Sequence, residues 1–163
     1  MATGEQNTYL HNDNTILPNA FSSYVAAIAL GAIPLLSYLH GFAVMLYRRP
    51  GGVWYPNPYA TAEQAKENPM AYRLNCAQRA HAQFLENSPQ TMMMMMLAGL
   101  EYPITTKWLG IMWIVFRIVY WAGYVYSSKE GGQGRLYGVY FWMVQGLIWF
   151  LGLLTSRKLM RGT

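Results

Sequence analysis

The chain has 163 residues, enough for one domain. It is 53% hydrophobic and 15% aromatic but only 12% charged, about half the usual charged share. A single cysteine, Cys76, excludes an intrachain disulfide and any CxxC metal spacing. The net charge of +5 sits between apolar segments, which fits anionic headgroups or an anionic ligand better than nucleic acid.

Residues 1–19 form a polar tail without a basic leader region, so the first apolar segment is expected to serve as an uncleaved anchor. From Ala20 to Tyr47 there is no formal charge, and this stretch exceeds the roughly 20 residues that a bilayer span needs. Pro34 is a candidate kink that a membrane helix tolerates. His40 reads as a packed or interfacial histidine. Arg48, Arg49, Pro50, Gly51 and Gly52 end the span. A proline-bearing loop follows, with a short helical prelude from Thr61 to Asn68.

The second span is expected over about 70–100. Asn75, Arg79, Gln83, Glu86 and Gln90 recur at helical spacing on one narrow face, and the charge-free part beyond Glu86 is too short to cross a bilayer by itself. The polar half must therefore complete the span. The run Met92 to Met96 covers every face, either as filler or as a pliable wall for varied apolar substrates. The third span, about 104–127, carries Arg117 near its middle, with Tyr120 and Tyr124 at i+3 and i+7. Intramembrane charge at that depth must face the bundle interior or a wet cavity. A Gly-rich loop leads to the fourth span, about 136–155, and a basic tail over 158–163. The expected fold is an all-α integral membrane protein, a four-transmembrane-helix bundle, with its membrane domain over 20–157. A slight excess of Lys and Arg places the odd loops in the cytosol.

Two polar stripes thus meet near the odd-loop end. The arginines of both stripes, with Arg48, Arg49 and Arg135 nearby, suit bidentate capture of a small polyanion, and Glu86 suits an ammonium group. A ligand with carboxylates and an amine is a peptide rather than a phosphate. The competing reading is a purely structural network, with Glu86 neutralising Arg79 or Arg117. An arginine beside a thiol lowers its pKa, so a thiol peptide can be activated without a protein cysteine. Cys76 reads as packed, with no partnered base nearby. His11, His40 and His81 have no metal-ligand spacing.

The stretch LNCAQRAHAQFLENSP, with VWYPNPY before it and FRIVYWAGYVY in the third span, resembles the MAPEG family, the membrane-associated proteins of eicosanoid and glutathione metabolism. The branch it resembles most is the type-three microsomal glutathione S-transferases. The likeness runs from about Phe21 to Leu154. It implies a homotrimer with glutathione bound between protomers and open to the cytosol, in the endoplasmic reticulum or another intracellular membrane. Arg79 and Glu86 match positions that hold the charges of the glutathione backbone, and His81 a contact position on another face. Tyr120 and Tyr124 match contacts of the third helix, and Arg117 a retained arginine. Arg48 or Arg49 reaches the site from the first helix, Gln83 stands where Asn is usual, and Arg135 is the candidate that stabilises the thiolate, with Lys129 as fallback.

The expected function is a glutathione-dependent transferase or peroxidase acting on hydrophobic electrophiles or lipid hydroperoxides, with glutathione as cosubstrate and no metal. The alternatives are a leukotriene C4 synthase-like conjugating enzyme and a non-enzymatic lipid-binding scaffold. A channel is disfavoured because the Met run interrupts any polar path.

Overall fold

A computed structural model describes residues 23–127 and 130–162, with Glu130 described through its backbone alone. The polar tail of residues 1–19, the start of the first span at 20–22, His11 and Lys129 lie outside the described residues. Every regular element among the described residues is helical. The long helices are α1 (Ser23–Arg48), α2 (Pro69–Ala98), α3 (Pro103–Tyr126) and α4 (Phe141–Arg161).

α1 is α-helical apart from a π-helical stretch over Ala27–Ala32, where Ile33 N–H bonds back to Ile28 O. The expected kink at Pro34 takes this form. Proline has no N–H to give and its ring crowds the preceding turn, and an extra residue in that turn makes room. Val25, Ala29, Ile33, Leu36, His40 and Val44 are buried at alternating helical steps. The opposite face exposes Leu35, Tyr38, Leu39, Phe42 and Leu46. Such an apolar exterior belongs in lipid or under a partner.

The loop after α1 is tied down at both ends. Asn68 Nδ2 donates to Pro50 O at 3.0 Å. Asn75 on α2 exchanges two bonds with Ala60, at 2.8 and 3.0 Å. A six-residue helix, Ala62–Glu67, begins with a reciprocal Thr61–Gln64 capping box.

α2 starts on Pro69 with Asn68 as its cap and runs for 30 residues, about 45 Å at the α-helical rise. It is the central helix and packs against α1, α3 and α4. Around Pro89, Asn87 Nδ2 donates to Gln83 O at 2.7 Å, and Gln90 Nε2 to Glu86 O at 3.0 Å. A buried chain joins three helices: Trp113 Nε1 donates to Gln145 Oε1 at 3.2 Å, and Gln145 Nε2 to Asn87 Oδ1 at 3.3 Å. The methionine run divides by face: Met95 is fully buried, Met92, Met94 and Met96 pack against the core, and Met93 is 66% exposed.

α4 begins at Phe141 rather than at 136 and continues through Arg161, so the first residues of the expected basic tail are helical. The Gly-rich segment explains the late start. Gly131 and Gly132 take positive φ, and a 3₁₀ segment over Glu130–Gly138 lies along α3. A Cβ on Gly138 would collide with the backbone of Phe116 and Tyr120.

α1 and α3 are long and apolar enough to cross a membrane. The segment Gly131–Gly138 with α4 passes as a third span bent by 42°. α2 has the length but carries Arg73, Arg79 and Glu86 in its first two thirds.

Candidate functional site

The N-terminal half of α2 and the C-terminal half of α3 bring part of the expected set together. A cleft of about 290 Å³ is lined by Tyr72, Asn75, Cys76 and Arg79 of α2, Tyr124 of α3, Ala65 of the short helix, and Gly131. Arg79 is exposed on the α2 surface, within electrostatic reach of Tyr59, Tyr124 and Glu86. The short helix over the cleft holds Glu63 at its start. The backbone N–H of Glu63 itself and the Thr61 hydroxyl keep that carboxyl below its usual range.

Arg135 is presented by the 3₁₀ segment. Its Nη1 donates to Gly131 O at 3.0 Å and to Gly132 O at 3.1 Å, which folds the side chain back over its own loop. The guanidinium then lies 5.3 Å from the Tyr124 ring centroid. Tyr124 meets Tyr120 edge-on at 5.9 Å. Arg117, Arg135 and Arg79 all lie within electrostatic reach of the Tyr120 hydroxyl. Arg117 thus lies 5.4 Å from one ring of this tyrosine pair and Arg135 5.3 Å from the other.

Arg117 is fully buried. Its Nη1 donates to Gln83 Oε1, while Nε and Nη2 find no hydrogen-bond partner among the described residues. Four rings enclose it: Phe141 at 4.4 Å, Phe84 at 4.9 Å, Tyr120 at 5.4 Å and Trp113 at 5.5 Å. Such faces stabilise a cation by their quadrupoles. Glu86 does not neutralise Arg117. It is exposed on the outer stripe with Arg79.

Other expected residues stand apart. Arg48 Nη1 donates to Asn57 O at 2.7 Å and its guanidinium lies 4.3 Å from the Tyr55 ring, so it holds the first loop. Arg49 is exposed at the end of α1. His81 faces α1 and lines a separate cleft of about 470 Å³ with Ser37, Tyr38, Gly41, Phe42, Met45 and Leu85. His40 is buried against Phe84 at 4.8 Å and Trp121 at 5.6 Å, and neither ring nitrogen finds a hydrogen-bond partner among the described residues.

Cys76 is buried and lines the Arg79 cleft beside Tyr72, within electrostatic reach of Arg135. Sequence reasoning missed Tyr72 and Tyr59 as neighbours of the site. Tyr72 had a signal, since it lies two helical turns before Arg79 on the same face. Tyr59 had none, because its approach depends on how the loop returns. Asn75 belongs to the expected stripe, yet its amide is spent on Ala60.

Compared with known families, the chain matches the model of the MAPEG family over residues 26–155, from just before the π-helical stretch to within α4.

Proposed function

The chain belongs to the MAPEG family, and we propose that it is a glutathione-dependent membrane enzyme, a transferase with peroxidase capacity, acting on hydrophobic electrophiles or lipid hydroperoxides. Family membership supports glutathione as the thiol and a lipid-soluble second substrate. The observation that carries the reading is an open cleft lined by Arg79 and Tyr124, with the Arg135 guanidinium 5.3 Å from that tyrosine's ring.

In this reading Arg79, Gln83 and Glu86 take the charged and polar backbone groups of glutathione. Tyr120 and Tyr124 line its path, and Arg117 supplies positive field from behind. Arg135 is the catalytic residue: it sits beside the glutathione sulfur, favours the thiolate, and leaves the nucleophile ionised at neutral pH. In transfer, the sulfur forms a bond to carbon and the leaving group departs with the electron pair. In peroxide reduction, the thiolate attacks the outer oxygen, the O–O bond breaks to give an alcohol, and a second glutathione resolves the sulfenate to disulfide and water.

A charged stripe of Arg79 and Glu86 lies exposed on α2. If α2 crosses the membrane as the fourth span, that stripe has no place in lipid. A second protomer covers it in the proposed homotrimer. Arg49 and His81, which lie off the Arg79 cleft, then serve the neighbouring protomer's site, while Arg48 stays with its own loop. The proposed location is an intracellular membrane, the endoplasmic reticulum first, with the site facing the cytosol.

The test is turnover by the purified protein in detergent or lipid. Glutathione-dependent conversion of a halonitroarene or a lipid hydroperoxide supports the enzyme, and failure with both ends the reading. A lipid-presenting scaffold is the second reading. It is favoured by an apolar cleft of about 310 Å³ between α1 and α3, lined by Leu36, Leu39, His40, Ile118 and Trp121. Calorimetric titration separates the two: no heat with millimolar glutathione favours the scaffold.

A further inference from the structure

The end of the bundle opposite the Arg79 cleft carries a second concentration of positive charge. α4 exposes an apolar face through Met143, Phe150 and Leu153, and then turns basic at Arg157, Lys158 and Arg161. Those three residues, with Leu154 behind them and Tyr102 from the α2–α3 turn, line a cleft of about 330 Å³. Lys158 Nζ is paired with Glu101 Oε2 at 2.6 Å, so one of the three cations is neutralised. Arg157 and Arg161 stand one helical turn apart and form no ion pair with a carboxylate among the described residues.

The carbonyls at the end of α4 favour cations in its last turn, which accounts for basic residues there. They do not account for a concave site whose wall is built by a second element, with Tyr102 contributed and the Glu101–Lys158 pair joining the two. The same end holds Lys107 at 4.9 Å from the Trp108 ring and 5.3 Å from the Tyr24 ring. Aromatics with an adjacent cation mark a membrane–water boundary. A ligand here meets two guanidiniums, a phenol and an apolar wall that continues down α4.

We propose that this cleft binds the phosphodiester headgroup of an anionic phospholipid, clamped between Arg157 and Arg161, with its acyl chains along the exposed face through Phe150 and Leu153. Guanidinium forks suit phosphate oxygens, and the apolar wall suits a lipid rather than free phosphate.

Native mass spectrometry of the delipidated full chain, titrated with phosphatidylglycerol or phosphatidylcholine, tests it. The wild type is expected to prefer phosphatidylglycerol, and each arginine replaced by glutamine lowers that preference about fivefold. Arg157→Gln with Arg161→Gln reduces it to the level of phosphatidylcholine, while Lys107→Gln, which removes one charge at the same end as each single arginine variant does, preserves it. Glycerol phosphate, the headgroup without chains, does not displace the lipid. An unchanged preference in the double variant overturns the proposal. So does an equal loss in Lys107→Gln, which reduces the effect to diffuse charge. Displacement by glycerol phosphate at matched concentration also overturns it, because the site is then one for a soluble anion.

Discussion

Arg117 of α3 donates from Nη1 to the side-chain oxygen of Gln83 on α2, and that amide is the polar partner of a guanidinium otherwise surrounded by four aromatic rings. The bond has two consequences. It couples α2 to α3 in the middle of the bundle. It also orients the Gln83 amide: with the oxygen committed to Arg117, the NH₂ group is the part left to meet a ligand on the Arg79 stripe.

Removing this partner should be costly. Gln83→Leu leaves a buried guanidinium without its polar partner, and the expected loss is about 3 kcal/mol. Gln83→Glu keeps an acceptor for Arg117 and is expected to hold or raise stability while weakening glutathione binding, because the NH₂ donor is gone. Thermal unfolding and calorimetric titration of both variants check this. Equal stability of Gln83→Leu and wild type contradicts it.

Arg135→Ala separates binding from ionisation. A neighbouring cation favours the thiolate and lowers the thiol pKa, so its removal raises that pKa. The expected result is retained glutathione binding, a loss of turnover at neutral pH of about tenfold or more, and a pH–rate profile displaced to the alkaline side. An unchanged profile takes Arg135 out of the mechanism, and Lys129→Ala then becomes the informative variant.

The 3₁₀ segment is held against α3 by glycines whose missing side chains allow backbone contact. In Gly138→Ala the new methyl meets the Phe116 carbonyl and the Tyr120 backbone. Overpacking of this kind costs about 2 kcal/mol. Because Arg135 rides on the same segment, turnover should fall along with melting temperature. A stable variant with full activity contradicts the placement of this loop.

Asn75→Ala tests the loop over the cleft. Two hydrogen bonds to Ala60 are lost, at about 1 kcal/mol each. The loop carries Tyr59 and the short helix, so the Michaelis constant for glutathione should rise with little change in kcat. A fall in kcat alone, with the Michaelis constant unmoved, contradicts a positioning role for this loop.

The long helices are legible in the sequence because their apolar runs have sharp boundaries of Pro, Gly and Arg. The exposed pair Arg79 and Glu86 is legible from its spacing, while Gln83 of the same stripe turns inward to Arg117, whose interior position is legible because a charge at that depth has nowhere else to go. Two things are not legible. Which members of a stripe are already taken depends on tertiary return: Asn75 looks like a ligand residue and is a loop clamp, and Arg48 turns into its own loop. The start of α4 is also hidden. Leu136 opens the apolar run that continues into α4, yet the close approach of Gly138 to α3 holds that segment in a 3₁₀ turn.

The proposed activity depends on a glutathione sulfur that stays negative at neutral pH once bound. The most direct measurement is the ultraviolet thiolate absorbance of the protein–glutathione complex, followed across pH. A free thiol titrates at about 8.5. The account predicts a stoichiometric thiolate signal at neutral pH that vanishes only as the solution is made acidic. Glutathione that binds but ionises as it does in free solution would contradict it.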